Sequence, residues 1–135
     1  MRILRILSVF LLLSTAVVAV EPEKKIFTAV TGPDGIQKVS IVGGEYFFDP
    51  NQIVVKVNVP VELSVKKEGG IVPHNIVMKS PEAGMAFNET MGSEPKVIKF
   101  TPTNTGTYPF SCTNKLLFFK SHEEKGMKGV IEVVE

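Results

Sequence analysis

Cysteine is almost absent from this chain, whose 135 residues contain only Cys112, and histidine is nearly as rare, with two residues. A single cysteine cannot form a disulfide within the chain, although disulfides are the usual use of cysteine outside the cytoplasm. Three uses of Cys112 remain open: a small buried apolar side chain, a disulfide between two chains, or a thiolate that binds a metal. Composition alone does not choose among them.

An excess of charge of either sign is also missing. The chain has 15 lysines and arginines against 14 aspartates and glutamates. Removal of the first nineteen residues, which contain Arg2 and Arg5 and no acidic residue, leaves 13 against 14. A chain so close to neutrality lacks the basic surface with which proteins bind nucleic acids or anionic membranes. We therefore expect no nucleic-acid partner.

The long apolar run is confined to the N-terminus, MRILRILSVFLLLSTAVVAV. Two arginines, an apolar middle and small residues at the end are typical of a secretory signal peptide. The run from Ile6 to Val20 is short for a bilayer span, and no cysteine directly follows it to carry a lipid. We predict a signal peptide over residues 1–19, a mature chain beginning at Val20 without a membrane span, and export to the periplasm or beyond.

Sustained helical periodicity is missing too. Short runs such as QIVVKVNV and VELSVK alternate apolar and polar residues, which places the apolar side chains on one face of a strand. Turn-forming segments such as TGPDG and EGG separate these runs. The mature chain of about 115 residues suits one core, so residues 20–135 are predicted to form a single all-β domain, an antiparallel sandwich or small barrel of about seven to eight strands. Residues 79–96 and 113–128 are predicted to be loops.

Metal-binding side chains concentrate near the C-terminus. The stretch YPFSCTNKLLFFKSHEEKGMKG contains Cys112, His122 and Met127, and His74 begins a strand after a Gly-Gly turn. Loops gather at the two ends of a sandwich, so these four side chains can meet at one end. Two imidazoles, a thiolate and a weaker axial thioether form a type 1 copper site. We predict that the four residues bind one copper ion, although each taken singly has a structural alternative at the surface or in the core.

These motifs resemble the cupredoxins, the small blue copper proteins, including their plastocyanin-like and auracyanin-like members. Similar blocks also occur in domains of bacterial iron-uptake proteins and of cytochrome-oxidase-like subunits. The resemblance covers about Tyr46 to Glu135, in YFFDPNQIVVKVNVPVELSVKKE, VPHNIV, KFTPTNTGTYPFSC and HEEKGMKGVIEVV. It implies a Greek-key antiparallel β-sandwich, the same four copper ligands, and a hydrogen bond from the Asn75 side chain to the residue after Cys112.

One segment departs from the family pattern. Nine residues, TNKLLFFKS, separate Cys112 from His122, where familiar members have a much shorter spacing. The simplest interpretation packs the apolar side chains of residues 116–119 onto the core. The alternative is an exposed apolar patch beside His122, where a redox partner docks and lysines such as Lys115 and Lys120 steer it weakly.

The resemblance implies an exported type 1 copper protein, a monomer that carries one electron between redox proteins such as a cytochrome or an oxidase. The alternative is a periplasmic copper carrier or buffer, to which Met78, Met85 and Met91 would add thioethers. Their simpler interpretation is core for Met78 and loop for the other two. No enzyme is predicted, because copper oxidases and nitrite reductases need a second copper centre with further histidines, and both histidines here are already assigned.

Overall fold

The computed structural model describes residues 23–135, so the predicted signal peptide lies outside the described residues. This part of the chain forms strands joined by turns, with one 3₁₀ turn at Pro81–Ala83 and no α-helix. Within residues 23–135, no helix has the length and apolar character needed to cross a membrane. The strands are β1 Ile26–Thr28, β2 Gln37–Gly44, β3 Phe47–Asp49, β4 Gln52–Lys56, β5 Val61–Lys67, β6 His74–Ser80, β7 Met85–Met91, β8 Lys96–Phe100, β9 Gly106–Ser111 and β10 Lys128–Val134.

The strands form two sheets that enclose one core. One sheet has six strands in the order β1-β4-β10-β9-β6-β7, and the other has four in the order β3-β2-β5-β8. The predicted all-β sandwich is confirmed, but its sheets are mixed, because the β1–β4, β4–β10 and β2–β5 pairs are parallel. Alternation shows which face of a strand is buried and carries no information on its neighbour's direction. The strands also number more than predicted, because β1 and β3 have three residues each, too few to show a period.

The core lies between the sheets and follows the two-residue period of the strands. In β5, the buried residues Val61, Leu63 and Val65 alternate with partly exposed ones. Phe48 of one sheet packs edge to face on Phe110 of the other, with ring centroids 5.3 Å apart. Burial of each such side chain stabilises the fold by about 1.5–3 kcal/mol. The apolar positions of the alternating sequence therefore form the two inner faces of the sandwich.

The prediction of a long loop over residues 79–96 is wrong. Residues 85–91 form β7, which pairs antiparallel with β6 along its whole length. Met85 and Met91, expected in a loop, are 0% and 4% exposed and belong to the core, as Met78 does. The segment MAFNETM places an apolar residue at every second position except Glu89, but nearby glycines and prolines made it look like a loop.

The sheet order places two strand ends together. β6 and β9 are antiparallel neighbours, with Val77 opposite Ser111 and Met78 opposite Phe110. The start of β6 and the end of β9 therefore lie at the same end of the sandwich. His74 is the first residue of β6, and Cys112 directly follows β9.

We expect Phe110→Ala to lower the free energy of unfolding by about 3–5 kcal/mol, because Phe110 is 1% exposed and its removal leaves a cavity against Phe48. Urea denaturation of the metal-free protein measures the change. Thr107→Ala, at an exposed position of the same strand, is the matched control and should cost less than about 1 kcal/mol. Equal effects of the two substitutions would contradict the core assignment.

Candidate metal centre

Three ligand atoms converge in one buried pocket. The Nδ1 atoms of His74 and His122 are 3.1 Å apart, and Cys112 Sγ lies 3.4 Å from Nδ1 of His122 and 3.9 Å from Nδ1 of His74. The exposed fractions of His74, Cys112 and His122 are 2%, 0% and 5%. The three side chains form a group that could hold a metal ion, and they belong to three separate segments of the chain.

The size of this triangle fits a metal ion. A point equidistant from the three atoms lies about 2.0 Å from each, which is the radius of the circle through a triangle with these sides. Zinc, for comparison, binds histidine nitrogen at about 2.0–2.1 Å and thiolate sulfur at about 2.3 Å. Two imidazoles and one thiolate in a trigonal plane match the chemistry of a blue-copper centre. The residues present therefore fit a copper ion in both spacing and donor type.

Asn75 joins the two strand ends that hold His74 and Cys112. Its backbone N–H points to Cys112 Sγ at 3.5 Å. Its side-chain oxygen accepts the backbone N–H of Thr113 at 2.9 Å, and its side-chain NH₂ donates to Thr113 Oγ1, also at 2.9 Å. The resemblance implied a hydrogen bond between Asn75 and this residue, and the geometry contains two.

A hydrogen-bonded turn over residues 121–126 presents His122. Ser121 and Glu124 form a reciprocal capping arrangement, in which each backbone N–H donates to the other's side-chain oxygen, at 2.6 and 3.2 Å. The backbone N–H of Ser121, and after it the Ser121 side chain, lower the pKa of the Glu124 carboxyl group. Gly126 ends the turn with φ at +106°, a conformation that costs glycine little. These local bonds set the direction of His122 before the chain enters β10.

The residues inserted between Cys112 and His122 do not displace the histidine. The backbone N–H of His122 donates to the carbonyl of Asn114 at 2.9 Å, and the Asn114 side chain donates to the carbonyl of Pro73 at 2.9 Å. These bonds close the base of the insertion, so residues 115–121 project from the molecule. The side chains of Leu116, Leu117, Phe118 and Phe119 are 66%, 73%, 86% and 54% exposed, so the prediction that they extend the core is wrong.

Met127 lies next to this site in the core. It is 0% exposed, and its main chain forms hydrogen bonds with the main chains of Cys112 and His122. Its N–H donates to the carbonyl of His122 at 2.9 Å, and its carbonyl accepts the N–H of Cys112 at 3.0 Å. The side chain packs inward toward Gly43 of the opposite sheet. The structure thus places all four predicted residues at one end of the sandwich.

Tyr46 covers the two imidazoles, a role that the sequence did not reveal. Its ring lies edge-on to His122, with centroids 5.0 Å apart, and to His74 at 6.4 Å. The Lys125 ammonium sits 4.2 Å from the Tyr46 ring centroid and 3.0 Å from its hydroxyl. The available signal was an aromatic residue two positions after the Gly43-Gly44 pair, and such residues are common without any site nearby.

Burial keeps both imidazoles in the neutral form that binds metal. Desolvation lowers the pKa of His74, and repulsion from His122, when His122 is protonated, and from the Lys67 ammonium lowers it further. Desolvation likewise lowers the pKa of His122, with a smaller contribution from the Lys125 ammonium. Because both pKa values lie below the usual 6.5, the ligands stay unprotonated at neutral pH.

We expect the metal-free protein to lose stability as the pH falls from about 6.5 to 5. The unfolded chain takes up protons on both histidines in this window, whereas the folded chain resists them, and preferential protonation of the unfolded state favours unfolding. The free energy of unfolding should therefore be at its maximum with respect to these two groups above about pH 6.5, and it should decline below that pH. Urea titrations of the chelator-treated protein across this window measure the decline.

The matched variant His122→Gln removes one of the two groups, so its stability should decline less steeply with pH. A wild-type stability that stays constant or rises as the pH falls through the same window would contradict the neutral-histidine assignment.

No protein-family model matches this chain, and none of the curated proteins does. Solved structures do match. The metal-binding domain of the Streptococcus pneumoniae Cu(I)-exporting P-type ATPase CopA, solved with Cu(I), is 28% identical with a TM-score of 0.63, over 84% of this chain and 100% of that domain. Reduced auracyanin from Roseiflexus castenholzii is 23% identical with a TM-score of 0.59, over 79% and 99% of the two chains.

A third match is auracyanin A, a blue copper protein from Chloroflexus aurantiacus, which is 20% identical with a TM-score of 0.56, over 74% of this chain and 100% of that one. The two auracyanins support the fold alone, because their identity to this chain is low. With these structures the resemblance to the cupredoxins is confirmed. The chain has the cupredoxin fold and, within residues 23–135, a buried His-Cys-His candidate metal site.

Proposed function

We propose that this chain is an exported type 1 copper protein that carries one electron at a time between redox proteins. His74 and His122 would hold the ion through Nδ1 and Cys112 through Sγ, and Met127 would add a weaker thioether donor. The supporting observation is the buried triangle of these three atoms, whose sides of 3.1, 3.4 and 3.9 Å suit one trigonal metal ion. Bound copper supplies a one-electron couple between Cu(I) and Cu(II).

The donor set favours a carrier over an enzyme. All three donors are buried, and no other group of three metal-binding side chains occurs in the described part of the chain, residues 23–135. A catalytic copper centre needs an open position for substrate and further ligands. Asn75 and Met127 bond the chain around Cys112, and that support limits the movement of ligands when the charge of the site changes.

His122 is the proposed route for the electron. Its side chain lines a surface pocket of about 580 Å³ together with Ile71, Pro73 and Leu116, so its ring separates the donor atoms from the surface. Ile71, which is 98% exposed, lines this pocket with Leu116, and we call these two residues and the exposed residues 117–119 the loop patch. The exposed side chains of Lys115 and Lys120 flank the inserted part of this patch, and their charge favours a partner with an acidic rim.

The proposal includes export of the protein. Residues 1–19 would be removed as a signal peptide, and residues 20–135 would act as a single-domain monomer in the periplasm or outside the cell. The arginine pair followed by an apolar run and small residues supports this part of the proposal.

We expect copper titration of the mature chain to produce an intense visible thiolate-to-copper band that saturates at one equivalent. Cys112→Ser should abolish the band, because a hydroxyl cannot replace the thiolate. Ser111→Ala, a change at the adjacent half-buried position, is the matched control and should keep it. Absorption and electron paramagnetic resonance spectra follow the titration. Copper binding by the wild type without this band would rule out Cys112 as a Cu(II) ligand and remove the basis of the electron-carrier proposal.

A second candidate function is copper handling, in which the protein carries or buffers Cu(I). The observation that favours it is the 28% identity to a domain of a Cu(I)-exporting ATPase that was solved with Cu(I). In an electron carrier the metal has to stay bound in both oxidation states, whereas a copper carrier has to release Cu(I) to its acceptor.

Competition with a Cu(I) chelator separates the two functions. As an electron carrier, the reduced protein should retain its copper, because the donors are buried and the strand ends are bonded together. Asn75→Ala breaks those bonds and should weaken copper affinity by about 10- to 100-fold, which shows that the assay detects loss of metal. Rapid transfer of copper from the wild type to a modest chelator would instead support copper handling.

A further inference from the structure

Met91 lies directly opposite a predicted copper ligand. In the antiparallel β6–β7 pair it is in register with His74. Directly opposite residues project from the same face of a sheet, with Cβ atoms about 4.5–5.5 Å apart. His74 and Met91 are 2% and 4% exposed, so that face is the inner one. The pairing therefore brings a second buried methionine to the end of the core that contains the donor triangle.

Gly43 shows that the thioether ends of Met91 and Met127 converge. A Cβ built on Gly43 would lie 2.8 Å from Met91 Cε, 3.1 Å from Met91 Sδ and 3.3 Å from Met127 Cε. Gly43 is not one of the glycines with a positive φ, so its backbone conformation does not require glycine. The absence of a side chain there instead leaves room for two methionine ends, one from the end of β7 and one from the residue before β10.

This arrangement differs from ordinary core packing. Met78 and Met85 are also buried, but Met85 pairs with Ser80 at the far end of β6–β7. Met91 is the one of these three that faces a predicted ligand across the ladder. The Met91 side chain also lies against Gly43, as does that of the predicted axial ligand, Met127.

We propose that Met91 supplies a second thioether to the copper site and binds Cu(I) together with, or in place of, Met127. Thioether sulfur is a soft donor that selects Cu(I), and methionine has three rotatable bonds through which its sulfur can move within the core. Reduced copper would then keep a thioether donor when Met127 moves away or is replaced. This inference rests on the copper-binding function proposed above, and the register with His74 singles out Met91 among the three methionines that the sequence offered as thioether donors.

The first test is nuclear magnetic resonance of the purified mature chain with ¹³C-labelled methionine methyl groups, recorded with and without Cu(I). Cu(I) is diamagnetic, so it does not broaden the methyl signals. The chemical shift of a methyl signal changes when the adjacent sulfur binds the ion. We expect the Met91 and Met127 methyl signals to shift, while those of Met78 and Met85 stay in place. A Met91 signal that moves no more than that of Met85 would overturn the inference.

The second test measures Cu(I) affinity by chelator competition for Met91→Leu, Met127→Leu and the double variant. Because either methionine can supply the thioether donor, each single substitution should lower the Cu(I) affinity only modestly. The double variant should bind Cu(I) at least about tenfold more weakly than the product of the single effects predicts. Met85→Leu, a buried substitution in the same strand, is the matched control and should leave the affinity unchanged.

The outcomes separate this inference from the function on which it rests. If Met91 only packs the core, Met91→Leu lowers the stability of the metal-free protein, Cu(I) affinity is unchanged, and the double variant equals Met127→Leu. That result overturns the inference and leaves the copper site intact. A wild-type protein that binds no copper overturns both.

Discussion

The bonds between Asn75 and Thr113 tie together the two strand ends on which the metal centre depends. They join the second residue of strand β6 to the residue after Cys112, and the Asn75 backbone N–H also points to the sulfur. β6 and β9 share only two register pairs, Val77 with Ser111 and Met78 with Phe110, so the ladder alone ends before it reaches the site. The side-chain bonds extend that pairing, and they hold His74 and Cys112 together whether or not a metal is bound.

The third donor is held by different means. His122 comes from a turn that is capped by Ser121 and Glu124, and its backbone bonds Asn114 at the base of the insertion. The extra residues therefore extend the loop into solvent. The position of the buried His122 is set by its immediate neighbours. This explains how a spacing of nine residues between Cys112 and His122 coexists with a compact donor triangle. The same outward course leaves apolar side chains exposed, with Leu116 beside His122.

Alternation predicted the fold best where strands are long and half-buried, as in β5, whose buried residues follow every second position. It failed at β7, because Glu89 interrupts the apolar series and turn-forming residues surround the segment. It was also silent on the parallel pairs, since strand direction depends on how the chain crosses between sheets. The error at β7 affected the site as well, because it left Met91 in a predicted loop when it is in fact opposite His74.

The sequence by itself determined the all-β class and the types of donor available to a metal, two imidazoles, a thiolate and a thioether, because residue type and period are local properties. The tertiary structure decided the rest: the donor spacing, the exposure of residues 116–119, the cover of Tyr46 over both imidazoles and the meeting of Met91 with Met127 above Gly43. Each of these is a contact between segments far apart in the chain. Such contacts depend on strand order and register, which a local pattern does not encode.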